Sequence, residues 1–333
     1  LLFSQPFFLT PILERVELLM RIHPNGRVQF QDSAIMLDHA GRNAEPIVLS
    51  HAHADHAVRR GRIISSPETK RLLEVRYGVK TAESLDYGKR MSLGKMHVTL
   101  YPSGHILGSA QVLVETPQTS LLYSGDIKLR AGYSCRPIEI PQAENLIVEA
   151  TFGTHLFQWP KRERIEKQIF DFIEQNRRRG HTPVFLAYSL GKSQELLALL
   201  AREKIHASVS KTVWEMSRVY EEFWVDLGEY RLYADERDVS GVLIVPPQKA
   251  RYVNADNPRF AAVSGWAMTR RWNDGSSQIP LSDHADFGEL LRYVDKVRPK
   301  KVWTTHGYAR ELASVLRHRG YDACPLTARQ FAI

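Results

Sequence analysis

The stretch Ser50-His51-Ala52-His53-Ala54-Asp55-His56 places three imidazoles and a carboxylate within one short loop. Imidazole nitrogen suits first-row transition metals and carboxylate adds charge, so alternating His51 and His53 followed by adjacent Asp55 and His56 can serve two metals. The loop follows Pro46-Ile47-Val48-Leu49, an apolar run that is β-branched at its middle and predicts a buried strand opening at its end. Strand alternation would point His51 and His53 the same way. A chance surface cluster of histidines would have the same composition. Against chance, similar residues recur at other predicted strand ends: Asp38 after Ala34-Ile35-Met36-Leu37, His105 in Ser103-Gly104-His105, Asp126 after Gly125, Glu149 after Leu146-Ile147-Val148, and His306 after Lys301–Thr305.

Together His51, His53, Asp55, His56, His105, Asp126 and His306 can complete a two-metal site, with Asp126 placed to bridge. Two metals a few ångströms apart lower the pKa of a shared water towards neutrality and clamp a phosphate oxygen, which suits in-line hydroxide attack on a phosphodiester. The departing oxygen then needs a proton, and His284 oriented by Glu149 is the expected source.

The elements that must position these groups fall into three segments. Up to about residue 157, predicted strands at Val28–Phe30, Ala34–Leu37, Arg62–Ser66, Met96–Leu100, Gln111–Glu115 and Leu121–Ser124 alternate with turns, and Pro67 opens a helix through Arg76. From 158 to 262 the period becomes helical, with Ile165, Ile169, Phe172 and Ile173 on one face and Arg177-Arg178-Arg179 at the helix end. The strand Pro183–Ala187 leads through Ser189-Leu190-Gly191-Lys192-Ser193 into another helix, a turn that presents amides to an anion without the full P-loop pattern. Ligand-type residues return in 263–333, so the middle segment is expected to be an insertion into the first domain.

With 333 residues, 43% of them hydrophobic, the chain is long enough for two ordinary domains or for one large core with an insertion. Cys135 and Cys324 lack any CxxC spacing, which argues against a disulfide framework and a thiolate zinc site and favours the cytoplasm. A formal charge of +8 is compatible with a polyanionic partner. No apolar stretch approaches the ~20 residues of a membrane span, and Leu1–Pro6 lacks the basic region of an export signal.

The chain resembles the metallo-β-lactamase-fold nucleases of the β-CASP group. His51-Ala52-His53-Ala54-Asp55-His56, His105 and Asp126 match the family's metal motifs, Asp38 its first motif, Glu149 in Glu149-Ala150-Thr151-Phe152-Gly153 the acidic motif after the fourth ligand, and His284 and His306 its two later histidine motifs. The resemblance implies an α/β architecture, a metallo-β-lactamase αββα sandwich with an inserted α/β β-CASP cap domain. It implies two divalent ions, zinc or manganese: one held by His51, His53, His105 and Asp126, the other by Asp55, His56, Asp126 and His306, with Asp38, Asp55, Glu149 and His284 acting in catalysis. Within the group, Val263-Ser264-Gly265-Trp266, Leu281–Asp286 and Trp303–Tyr308 are similar to the bacterial exonucleases associated with DNA ligases, often labelled messenger RNA 3′-end processing factors.

The implied function is a DNA exonuclease acting on single-stranded or frayed ends in ligase-associated repair. An RNA exo- or endonuclease is the second expectation, because RNA-acting relatives keep a histidine at the position of His306. A small-molecule hydrolase of the fold would need neither Glu149 with His284 nor a basic cap. A metal-free binding subunit would have no use for a full ligand set. Ser189, Lys192, Ser264 and Arg270 are the expected substrate contacts; a capped helix and a solvated charged loop are the ordinary roles for such residues.

Overall fold

A computed structural model describes residues 19–41, 45–234, 239, 241–269, 276–326 and 331–332. Three sheets organise them. The first has the strand order Phe331–Ala332, Met20–Ile22, Arg27–Phe30, Ser33–Leu37, Ile47–Val48, Ile63–Ser65, Glu83–Ser84, antiparallel up to Ser33–Leu37 and parallel from there on. The second has the order Asp322–Pro325, Lys301–Thr305, Asn145–Glu149, Ser120–Tyr123, Ala110–Glu115, Met96–Pro102, Arg90–Leu93. Their inner faces meet over Met20, Phe30, Ile35, Val98, Val112, Ile147 and Trp303, all essentially without solvent contact. This is the sandwich that the resemblance implies.

Helix α1 (Pro67–Tyr77) covers the first sheet. Ser66 caps it by accepting from Thr69 N, Pro67 fits its first turn, and Gly78 ends it in the left-handed region. The inserted segment forms the third sheet, all parallel, in the order Tyr230–Leu232, Ala207–Val209, Val242–Val245, Thr182–Leu186, Pro258–Val263, Ser277–Ile279. Helices α2 (Arg162–Arg178), α3 (Lys192–Arg202) and α4 (Lys211–Glu222) accompany it. The chain then returns through α5 (Phe287–Val297) and α6 (Ala309–His318), which pack Leu290, Val294, Leu312 and Leu316 on the outer face of the second sheet.

The third sheet runs past the boundary expected at 262. Ser277–Ile279 pairs in parallel with Pro258–Val263, Ala261 opposite Ser277 and Val263 opposite Ile279, so the return to the sandwich follows Ile279. A three-residue strand lies below the length at which alternation is readable in a sequence. The insertion and the first sheet also share one apolar core, in which Ile47, Ile63, Leu72 and Ile106 join Phe185, Leu196, Leu200 and Tyr220.

Candidate active site

In a parallel sheet, ligands gather beyond the carboxyl ends of the strands. Four connections leaving the third sheet at those ends, at Tyr188–Lys192, Pro246–Gln248, Ser264–Trp266 and Ser282–His284, line one cavity of about 580 Å³, whose opposite wall is the histidine loop with Asp126 and His306. The strand before the loop is shorter than expected and ends at Val48. His51 and His53 are therefore aimed by the loop itself, their rings 4.9 Å apart and edge-on, and strand alternation plays no part.

Asp38 sets the loop. Buried and at φ 54°, it accepts from Ser50 N (2.6 Å), Ser50 Oγ, His56 Nδ1 (2.7 Å) and Tyr123 OH (2.9 Å). With the Ser50 hydroxyl committed to Asp38, His51 Nδ1 donates to Ser50 Oγ at 2.9 Å and keeps its lone pair on Nε2. That Nε2 is buried, has no hydrogen-bond partner, and lies 3.4 Å from Asp126 Oδ2. His53 donates from Nε2 to Leu190 O at 3.2 Å, and His105 donates from Nδ1 to Asp283 O at 2.7 Å. Their remaining nitrogens, His53 Nδ1 and His105 Nε2, face each other at 3.0 Å. Two lone pairs so close are satisfied together by a cation, and backbone carbonyls that fix the opposite nitrogens are the usual support of metal-ligating histidines. The ligand atoms of His51, His53, His105 and Asp126 all lie within 4.8 Å of one another, so this set fits a divalent metal.

Asp126 faces two ways. Its Oδ2 is 3.4 Å from His51 and 3.6 Å from His105, while Oδ1 is 3.6 Å from His56 Nε2. Gly125, at φ 52°, makes this approach possible: a Cβ there would stand 2.6 Å from that of Ser50. The second expected set is looser. Asp55 Oδ2 is 3.9 Å from His56 Nε2 but largely exposed, and the His306 ring sits 5.6 Å from that of His56. The ligand groups that close to within 4.8 Å include neither Asp55 nor His306.

Charge is arranged to match. Burial, then neighbouring His51, pushes the His53 pKa down to about 3, and burial with the His284 charge lowers His105, so both rings are neutral donors. Burial opposes a charge on His56, but the carboxylates of Asp126 and Asp38 push it up to about 10. Burial likewise opposes ionisation of Asp126, and the charges of His284 and then His56 hold it well below the usual carboxylate range. His284 Nδ1 lies 3.2 Å from both Glu149 oxygens and its Nε2 lies 3.9 Å from Asp126 Oδ2. Burial disfavours its charge, but Glu149 and then Asp126 raise it to about 9. Glu149 is itself fixed by Ile127 N at 2.8 Å.

Residues 275–322 match the model of the RNA specificity domain of Zn-dependent metallo-hydrolases. The chain is 29% identical over 159 residues to RNase aCSPSF2 of Saccharolobus solfataricus (45% of this chain, 32% of the relative) and 28% identical over 267 residues to 5′ exonuclease Apollo of Gallus gallus (76% and 57%). It is 40% identical over 286 residues, 83% of its length, to a probable DNA ligase of Opitutus terrae. The chain belongs to the β-CASP group of metallo-β-lactamase-fold nucleases. The β-CASP chain spans 28% of that ligase, 32% of the RNase and 57% of Apollo. A protein of unknown function from Enterococcus faecalis shares the fold, with a TM-score of 0.70 over 95% of this chain and all of the other at 13% identity.

Of the substrate contacts expected in this β-CASP chain, Ser189 and Ser264 line the cavity, and Ser264 Oγ also accepts from Trp266 N. Lys192 is buried with its ammonium 2.6 Å from Asp283 Oδ1, which commits it to an ion pair. Arg270 lies outside the described residues. The sequence reading missed Leu190 and Asp283, which act through main-chain oxygens that no side-chain motif reports, and Tyr123, whose hydroxyl meets Asp38 across 85 residues of chain. Asp38→Asn should lower metal affinity about 10–100-fold, the usual consequence of losing a carboxylate behind a ligating histidine. Competition titration with a chromophoric chelator measures it, and unchanged affinity would remove Asp38 from the positioning role.

Proposed function

We propose that the chain is a metal-dependent phosphodiesterase, a DNA exonuclease that works on single-stranded or frayed ends alongside a DNA ligase in the cytoplasm. The observation that carries the DNA assignment is the 40% identity to a segment making up 28% of a probable DNA ligase: there, a unit like this chain shares one polypeptide with the remainder of the ligase. His51, His53, His105 and Asp126 would hold one divalent metal, and His56, Asp126, Asp55 and His306 a second, zinc or manganese by donor type. Bound there, the metals supply Lewis acidity, which brings the pKa of water towards neutrality and offsets charge building on the phosphate. Asp38 and Ser50 hold the loop, Glu149 orients His284, and protonated His284 stands at the cavity wall to give its proton to the departing oxygen. Ser189 and Ser264, which line the cavity, would contact the substrate backbone.

A second reading, RNA cleavage, has its own support in the match to an RNA specificity domain over 275–322 and in His306 at the cavity. End-labelled DNA and RNA strands of one sequence, digested in zinc and in manganese, decide between them. Stepwise shortening of DNA with RNA spared is the expected result. RNA cut while DNA persists moves the assignment to RNA processing.

A further inference from the structure

The inserted domain reaches the metal ligands at one turn. Leu190 O accepts from His53 Nε2 at 3.2 Å; two residues on, Lys192 Nζ pairs with Asp283 Oδ1 at 2.6 Å, and the carbonyl of that same Asp283 accepts from His105 Nδ1 at 2.7 Å. Both members of the pair are at least nine-tenths buried. Gly191, between Leu190 and Lys192, sits at φ 90° and ψ −76°, where a Cβ would stand 2.4 Å from Ile106 Cγ2 and 3.6 Å from His53 Nε2. Only glycine combines that backbone with that approach. A buried ion pair stabilises little in net terms, but removing one partner leaves the other charge buried and uncompensated, which is costly.

We propose that the turn Leu190–Lys192 is a positioning element of the metal centre, so that seating of the inserted domain sets which nitrogens His53 and His105 offer and thereby the metal affinity. The inference rests on the metal-centre reading above and extends it to residues that touch no metal. Metal binding and seating of the turn are then linked, and each must favour the other by the same factor.

The test uses the full chain and zinc alone. Lys192→Met and Gly191→Ala should each weaken zinc binding about 10–100-fold in chelator competition, the range typical of lost support behind a metal ligand. Arg71→Ala, which breaks the exposed ion pair of α1 with Glu222 on α4, should leave zinc affinity unchanged. Amide exchange on the unaltered chain serves even if a variant fails to fold: zinc loading should slow exchange through Leu190–Ser193. Wild-type zinc affinity in both folded variants, or exchange in that turn indifferent to zinc, overturns the inference. Failure of the unaltered chain to bind any divalent metal overturns the metal-centre reading itself, and the inference with it.

Discussion

Asp126→Ala should abolish both metal retention and cleavage, with a loss of activity of about four orders of magnitude or more, the scale on which groups acting as one catalytic unit fail together. Asp126 is the one carboxylate among the described residues that faces both histidine sets, with Oδ2 towards His51 and His105 and Oδ1 towards His56. Its removal also leaves buried His56 facing Asp38 without the second carboxylate that keeps it charged. Elemental analysis of the reconstituted variant and a single-turnover assay measure the two losses. Retention of two metals per chain would show that Asp126 bridges nothing.

His284→Ala should separate what Asp126→Ala joins. Metal content stays at the unaltered level, while cleavage falls about 10²–10⁴-fold, the usual worth of a positioned general acid. The separation is expected from the partners of His284: its Nδ1 faces Glu149 at 3.2 Å and its Nε2 faces Asp126 at 3.9 Å, although its ring also lies 4.6 Å from that of His105. Burial disfavours its proton, but Glu149 and Asp126 keep it on to about pH 9. Because the protonated form is the donor, activity should decline as pH rises through that value, and the variant should lack this limb. Metal loss in His284→Ala, or an unchanged alkaline limb, would contradict the role.

The insertion and most of the candidate site were legible because each ligand-type residue follows a run whose alternation or apolarity is a local property, whereas the sandwich was implied by the resemblance of the motifs. Lys301–Thr305 before His306 and Asn145–Glu149 are such runs, and the helix from Pro67 carries its own start and stop signals. What could not be read depends on contacts between distant segments. Lys192 beside a turn looks like a phosphate ligand until Asp283, 91 residues later, takes its charge. The late strand Ser277–Ile279 is too short to announce itself, so the insertion reads as ending at 262. Asp55 and His306 carry the right chemistry in the right motifs, yet Asp55 is largely exposed and His306 stands apart from the tight ligand groups. Composition carries no information on how far a loop side chain reaches.

The strand Asn145–Glu149 lies between Ser120–Tyr123 and Lys301–Thr305, and its pairing with the latter spans an insertion of more than a hundred residues. During synthesis, the edge of the second sheet must therefore wait uncovered while the whole inserted domain is made, at roughly 5–20 residues per second. An unpaired parallel edge is a template for pairing with other chains, so this interval exposes the chain to aggregation. The same wait has a protective side. A nascent chain still short of residue 284 holds the histidine loop and Asp126 but no His284 to donate a proton and no His306 at the cavity. The site is therefore complete only once residues 284 to 306, made after the insertion, have folded against the histidine loop and Asp126.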